Sequence, residues 1–267
     1  MISQVADYRI LGPLGASTDG RLFAAVAPPR LGLNTDRVAL KIADGLIDAD
    51  QIRRATDELR IFASVQSRYL VQLYDAGQDE GTLFYSMEYP PLGSLAAPVR
   101  TLTLAETLRA VSDAARGADA LHEVGIAHRN ITPSRIMLNE HGAKLADLGM
   151  AKFMSPGMTV TQTPDVADIE YLDPAIIRGA PLSRASDIWS LGVVLHWAVT
   201  DQSLHPGLPT QQALIAVRRV LNEPPLIADT LRPDIAGIVR ATLASDPFDR
   251  PPTAAALASL IDALPAD

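Results

Sequence analysis

The alternation of apolar and polar positions divides the chain into two unequal parts. In the first, "YRILGPLG" leads through the polar turn "ASTDG" into "RLFAAVA", a hairpin pattern with glycines at its bends. "RVALKIA" reads as a further short strand, and "YLVQLYDAG" and "GTLFYSMEY" resume the same pattern. Between them, "DADQIRRATDELRIFASVQ" spaces Ile52, Ala55, Leu59 and Phe62 as one face of a helix, with Asp48 or Asp50 as its N-cap. "PPLGS", Pro90 to Ser94, interrupts the periodicity and marks a boundary.

Beyond that boundary the period becomes helical. "TLAETLRAVSDAARGADALHEVG" is a long amphipathic helix, capped by Thr103 and stopped at Gly125. "SRASDIWSLGVVLHWAVT" is apolar nearly all round, the mark of a helix buried at the centre of a lobe, with Trp189 and Trp197 as core. "TQQALIAVRRVL", "LRPDIAGIVRATLAS" and "TAAALASLIDAL" supply further surface helices. Asp113, Asp119 and Glu123 fall along a helix face and read as solvated. The expectation is one α+β domain over 1–267: a small β-rich lobe to about residue 89, a hinge at about 88–93, and a larger α-helical lobe from about 94.

Composition narrows the function classes. With 267 residues the chain can bury a sizeable core, and 48% hydrophobic with 20% charged residues describes an ordinary globular protein. It has no cysteine, which excludes disulfides and thiolate metal sites. "MISQVADYRILGPLG" lacks the pattern of a signal peptide, and "LGVVLHWAV" is about half the roughly 20 residues needed to span a bilayer. A cytoplasmic location is expected, as a free protein or as the intracellular domain of a larger membrane protein. A net charge of -8 argues against binding a nucleic-acid backbone. His122, His128, His141, His196 and His205 are scattered without metal-ligand spacing.

A run of motifs carries the candidate chemistry. In order they are "YRILGPLGASTDG", "VALK", "ATDELRIFASV", "YSMEY", "HRN", "DLG", "YLDPA", "SDIWSLG" and "DPFDRPP". The chain resembles the eukaryotic-like Ser/Thr protein kinases of bacteria, from about Tyr8 to Leu264. That resemblance implies a two-lobe kinase-like fold with an ATP cleft. It assigns Gly15 and Gly20 to the glycine-rich loop, Lys41 to the phosphate-contacting lysine, Glu58 to its ion-pair partner, and Met87, Glu88 and Tyr89 to the gatekeeper and hinge. Asp147 of "DLG" would hold Mg2+, Leu148 would stack with Phe62 and His128, and Asp187 would tie the catalytic-loop backbone to the central helix.

The same resemblance exposes what is missing. Asn130 stands where the family's catalytic acid orients the substrate hydroxyl, and an amide has no basic lone pair near neutral pH. Thr132 stands where a lysine neutralises charge on the transferring phosphoryl group. Arg135 stands where an asparagine gives an oxygen to a second metal ion; a guanidinium has donors only and is expected to pair with Asp147. Ser17 replaces the middle glycine of the loop and Asp19 sits near its tip. Asp168 replaces the threonine that would contact the two lost catalytic residues. Ala175 replaces the glutamate whose partner would be Arg250, so Arg250 is expected to find another acceptor or face water.

These departures point to a pseudokinase: a kinase-fold regulatory or docking module with no intact catalytic set, binding ATP weakly or not at all and Mg2+ doubtfully. Two alternatives are an unorthodox, slow Ser/Thr kinase in which Arg135 contacts phosphate, and a nucleotide-binding switch without turnover. "TVTQT" resembles the phosphorylated activation loops of bacterial receptor-type kinases, which makes Thr161 and Thr163 phospho-acceptor candidates. A cognate Ser/Thr kinase and a phosphothreonine-binding domain are the partners that loop implies, with Arg129 as a ligand for the phosphate.

Overall fold

In a computed structural model, the protein is described over residues 2–17, 20–43, 49–146, 166–209 and 211–265. The first lobe is an antiparallel sheet of β1 (Gln4–Val5), β2 (Tyr8–Ser17), β3 (Gly20–Val26), β4 (Arg37–Ala43), β5 (Leu73–Asp79) and β6 (Thr82–Glu88), in the order β1-β2-β3-β4-β6-β5. The helix α1 (Ala49–Ser64) crosses from β4 to β5. Its expected cap, Asp48 or Asp50, lies outside the described side chains. The strand expected from Tyr69 begins only at Leu73, because Leu70 bridges to Leu145 of the other lobe.

β4 shows how the sequence period places function. All but its first residue are buried, so both its faces are covered. Val38, Leu40 and Ile42 join Tyr8 and Phe84 on one side, while Ala39 and Ala43 join Leu59, Tyr85 and Met87 on the other. Lys41 shares the parity of Ala39 and Ala43. That second cluster continues into Met137 and Ala146 of the larger lobe, so it forms the roof of the interlobe cleft. Gly20 begins β3 at φ 152°, where an added Cβ would collide with the Ile42 carbonyl.

The second lobe is built on α2 (Leu104–His122) and α5 (Arg184–Thr200). α2 starts as the sequence predicts: the Thr103 hydroxyl accepts from the Glu106 amide and the Glu106 carboxylate accepts from the Thr103 amide, a full capping box. Gly125, at φ 78°, follows its end. α5 is buried along most of its length and Trp189 is 6% exposed, in keeping with a sequence that is apolar nearly all round. Around these pack the one-turn helices α3 (Val166–Ile169) and α4 (Pro174–Ile177), then α6 (Ala213–Asn222), α7 (Pro233–Thr242) and α8 (Ala254–Asp262). One large core unites α2, α5, α7 and α8.

A second sheet, in the order β10-β9-β7-β8, lies between the lobes: β7 (Gly93–Ser94), β8 (Ala97–Pro98), β9 (Ile136–Asn139) and β10 (Gly142–Leu145). It corrects the reading of α2. Asp113 is 8% exposed rather than solvated, because its carboxylate accepts the Ala143 amide at 3.0 Å. Asp119 likewise accepts the Ala255 amide at the start of α8. Both carboxylates staple α2 to backbone that arrives from elsewhere in the chain. Among the described residues no helix is long and apolar enough to cross a membrane.

Candidate active site

The roof of the cleft is set by sheet register. Lys41 faces Leu22 on β3 and Tyr85 on β6, is 3% exposed, and places its Nζ 5.9 Å from the Tyr85 ring centroid. Met87 pairs with Ala39 and is 2% exposed, as a gatekeeper packed in the core would be. Gly15 lies opposite Leu22 on β2. Glu58 belongs to α1, but its side chain, and with it the expected pairing to Lys41, lies outside the described residues. Asp147, Leu148, Thr161 and Thr163 lie outside them too.

Glu88 and Tyr89 lead into the hinge, and here the sequence reading missed a partner. Lys144 of β10 reaches the Glu88 carboxylate at 2.6 and 2.8 Å, so one ion pair links the end of the first sheet to the second lobe. Nothing in the "GAKL" pattern signals this contact, which depends on β10 folding back beneath the hinge.

The catalytic loop is held from below by one buried carboxylate. Asp187, near the start of α5 and 1% exposed, accepts the backbone amides of His128 and Arg129, each at 2.7 Å. It also meets His122 Nε2 at 2.8 Å. Arg129 adopts φ 74°, a left-handed conformation that costs a residue with a Cβ about 1–2 kcal/mol. Asp187 holds it there by gripping the two successive amides that flank His128. The His128 ring lies 3.0 Å from the Ala146 carbonyl, which fixes the residue next to "DLG" against the loop. The tie that the resemblance implies is therefore present in full.

The floor carries a different set of groups from the one the fold's chemistry uses. Asn130 and Thr132 are 4% and 2% exposed. Arg135, at the end of a 3₁₀ turn over Pro133–Arg135, is also 2% exposed. Its Nη1 donates to Thr132 Oγ1 at 3.0 Å and stands 3.6 Å from Asp168 Oδ2 of α3. Thr132 Oγ1 also lies 2.9 Å from Ser134 Oγ. Three substituted positions thus meet in one buried group, and the negative charge absent from position 130 reappears on the opposite segment at Asp168. The pairing of Arg135 with Asp147 falls outside the described residues; within them, its carboxylate partner is Asp168.

Arg250 has found another acceptor. Its Nη1 pairs with Asp173 at 2.5 Å and donates to the Ala185 carbonyl at 2.8 Å, while Nε donates to the Ala244 carbonyl. The guanidinium lies 5.0 Å from the Trp189 ring centroid, and the side chain is almost closed to solvent. The acid has moved two positions toward the N-terminus from Ala175, and Asp173 also caps α4 through the Ala175 amide.

These residues support some chemistry and exclude other chemistry. A buried lysine at the roof fits a phosphate. The floor does not fit a second metal ion, since the guanidinium of Arg135 offers only donors and a fixed positive charge where a hard cation needs oxygen. Asn130 cannot take a proton from a substrate hydroxyl near neutral pH. Among the described residues no cluster of three or more His, Asp or Glu side chains could hold a metal.

Comparison with known proteins agrees with this architecture. The protein kinase domain pattern matches residues 13–260. The Ser/Thr protein kinase PknA of Mycobacterium tuberculosis is 29% identical over 255 residues, covering 91% of this chain and 58% of PknA. PknJ of the same organism is 25% identical over 261 residues, covering 93% of this chain and 44% of PknJ. The chain thus spans about half the length of these curated relatives. Among solved structures, the kinase domain of M. tuberculosis PknI superposes with a TM-score of 0.69 at 20% identity, and a mutant of that domain with 0.71 at 23%, each pair covered to 98%. That likeness shows the fold.

Proposed function

The chain belongs to the protein kinase domain family, and from that membership we propose that it is a pseudokinase: a regulatory or docking module that has given up phosphoryl transfer. The observation that carries this reading is the buried Thr132–Arg135–Asp168 group, with Arg135 3.0 Å from Thr132 and 3.6 Å from Asp168. A kinase needs a base, a cation for the phosphoryl group and an oxygen for metal at this floor. Here an amide, a hydroxyl and a guanidinium take those places. General-base help alone is worth roughly 10² to 10⁴ in rate, and one lost electrostatic donor roughly 10² to 10³. The two losses need not multiply, because such groups act as a unit.

The substituted residues also engage one another. A floor that had lost catalysis by drift would leave a buried cation without an anion, at a cost of several kcal/mol. This one has an acid on the facing segment, so the exchange preserves stability while abandoning transfer. Phosphorylation of Thr161 or Thr163 by a cognate kinase, read by a phosphothreonine-binding domain, would give such a module its input and output.

A second reading is favoured by one feature, the intact and buried Lys41: ATP binds and shifts lobe closure without turnover. Two measurements separate the readings. Phosphate transfer to a generic protein substrate is expected at background for the wild type and equally for Lys41→Met. Transfer at an ordinary kinase rate that disappears in Lys41→Met overturns the proposal. A rise in melting temperature with ATP, with or without Mg2+, selects the switch, because a ligand that binds only the folded state must stabilise it.

A further inference from the structure

Behind the cleft, a cavity of about 330 Å³ opens between α4, the end of α6 and the segment Ser245–Arg250. Ala175 faces it with a single methyl. The walls are Pro174, Pro224, Pro225, Leu221 and the Trp189 indole. Rigid prolines and a buried ring explain why the space stays open rather than collapsing onto the small side chain.

Its lining mixes apolar walls with polar groups, among them two arginines, Arg178 and Arg250, and two carboxylates, Asp173 and Glu223. Arg250 spends Nε and Nη1 on Ala244, Asp173 and Ala185, which leaves Nη2 as its uncommitted donor. Arg178, exposed at the rim, has one bond, from Nη2 to the Leu221 carbonyl. The two acids that line the space are both engaged: Asp173 by Arg250, and Glu223 by Arg219 at 2.9 Å. The guanidinium donors left uncommitted in the lining are those of Arg178 and Arg250 Nη2, beside two carboxylates that are already engaged.

We infer that this cavity is a receptor for a glutamate side chain of an extended acidic peptide segment in a protein partner. Its methylenes pack between Pro174 and the proline pair 224–225, and its carboxylate accepts from Arg178 and Arg250 Nη2. The uncommitted guanidinium donors select the acid, since guanidinium–carboxylate bonds are among the strongest available at a protein surface. The flanking peptide runs over the exposed ridge at α4 and α6. This inference does not depend on whether the cleft transfers phosphate.

The chain has two tryptophans, Trp189 and Trp197, so the Trp189 indole N–H is a resolvable NMR reporter once Trp197→Phe assigns it. The probe is the peptide acetyl-Ala-Glu-Ala-amide, with its glutamine counterpart and free glutarate as comparisons, titrated into the millimolar range. The glutamate peptide should move the Trp189 signal saturably and bind about tenfold tighter than the glutamine peptide, a difference of about 1.4 kcal/mol. Ala175→Glu should abolish the response by filling the cavity from within. Arg178→Ala, an exposed change that leaves the fold intact, should weaken the glutamate peptide about tenfold and the glutamine peptide far less. No saturable shift, an undiminished response in Arg178→Ala, or glutarate binding as tightly as the peptide would each overturn the assignment.

Discussion

Arg135 stands 3.6 Å from Asp168, with both side chains at least nine-tenths closed to solvent. The pair joins the loop that carries Asn130 and Thr132 to the segment Val166–Ile169. A buried cation is tolerated only beside a compensating anion. The two charges are therefore expected to be coupled in their effect on stability.

Removing one member of the pair should be costly and removing both much less so. Asp168→Thr removes the carboxylate beside the buried Arg135 guanidinium and should lower unfolding free energy by about 3–5 kcal/mol. Arg135→Asn combined with Asp168→Thr removes both charges and should recover most of that loss. Urea denaturation of the two single variants and the double variant closes the cycle. Purely additive losses would show that the pair has no coupling.

Asp187→Asn tests the support beneath the loop. The carboxylate accepts two amides at 2.7 Å and meets His122 Nε2 at 2.8 Å. A carboxamide has one acceptor oxygen and turns N–H groups toward backbone donors. Hydrogen bonds to a charged group contribute about 1.5–3 kcal/mol each, and at least one is lost, so the variant should lose at least about 1.5 kcal/mol. It should also release Arg129 from its φ of 74°. Hydrogen exchange of the His128 and Arg129 amides is the direct measurement: protection equal to wild type would sink the account.

Much of this was legible from residue order alone, where the cause is local. The parity of "RVALKIA" already puts Lys41 beside Ala39 and Ala43, and the nearly all-round apolar pattern of "SDIWSLGVVLHWAV" marks α5 as buried. Thr103 with Glu106 three positions later is a cap by chemistry. What escaped depends on chain segments brought together from a distance. Asp113 looks solvated on a helix drawn alone, until β10 delivers the Ala143 amide to it. Glu88 gives no sign of Lys144, and Arg135 none of Asp168, because neither pairing has a sequence period. Arg250 kept its need for an acid, and the acid moved to Asp173 while still capping α4.

His196 of α5 and His205 beyond its end give the fold a pH dependence of known sign. Burial pushes His196 below its ordinary value of 6.5, and His205 likewise. His196 Nε2 accepts the Ala228 amide at 3.0 Å, a role open only to the neutral ring. The folded state therefore binds fewer protons than the unfolded state as pH drops below about 6.5, and stability falls with it down to the folded pKa. Above about 6.5 the contribution is complete. Asp113 and Glu170, pushed up by burial, act in the opposite sense at lower pH, so a difference measurement is needed. His196→Gln should lose less stability than wild type between about pH 7 and pH 5. Identical slopes would mean that the ring titrates normally.

If the floor is what stops transfer, rebuilding it should restore activity. Asn130→Asp alone is expected to fail, because Thr132 and Arg135 still stand where a phosphate-facing cation and a metal-holding oxygen are needed. Adding Thr132→Lys returns a phosphate-facing cation. Arg135→Asn frees the metal position, and Asp168→Thr removes the anion left behind by that change. The four together should raise transfer to a generic protein substrate by about 10² to 10⁴ over wild type, the range that general-base catalysis supplies. Lys41→Met in the rebuilt background should return it to the starting level. Phosphate incorporation measured by mass spectrometry distinguishes this from a trace contaminant, whose signal would be the same in all variants. A rebuilt protein that binds ATP yet stays silent would move the defect from Asn130, Thr132, Arg135 and Asp168 to the glycine-rich loop, where Ser17 and Asp19 stand.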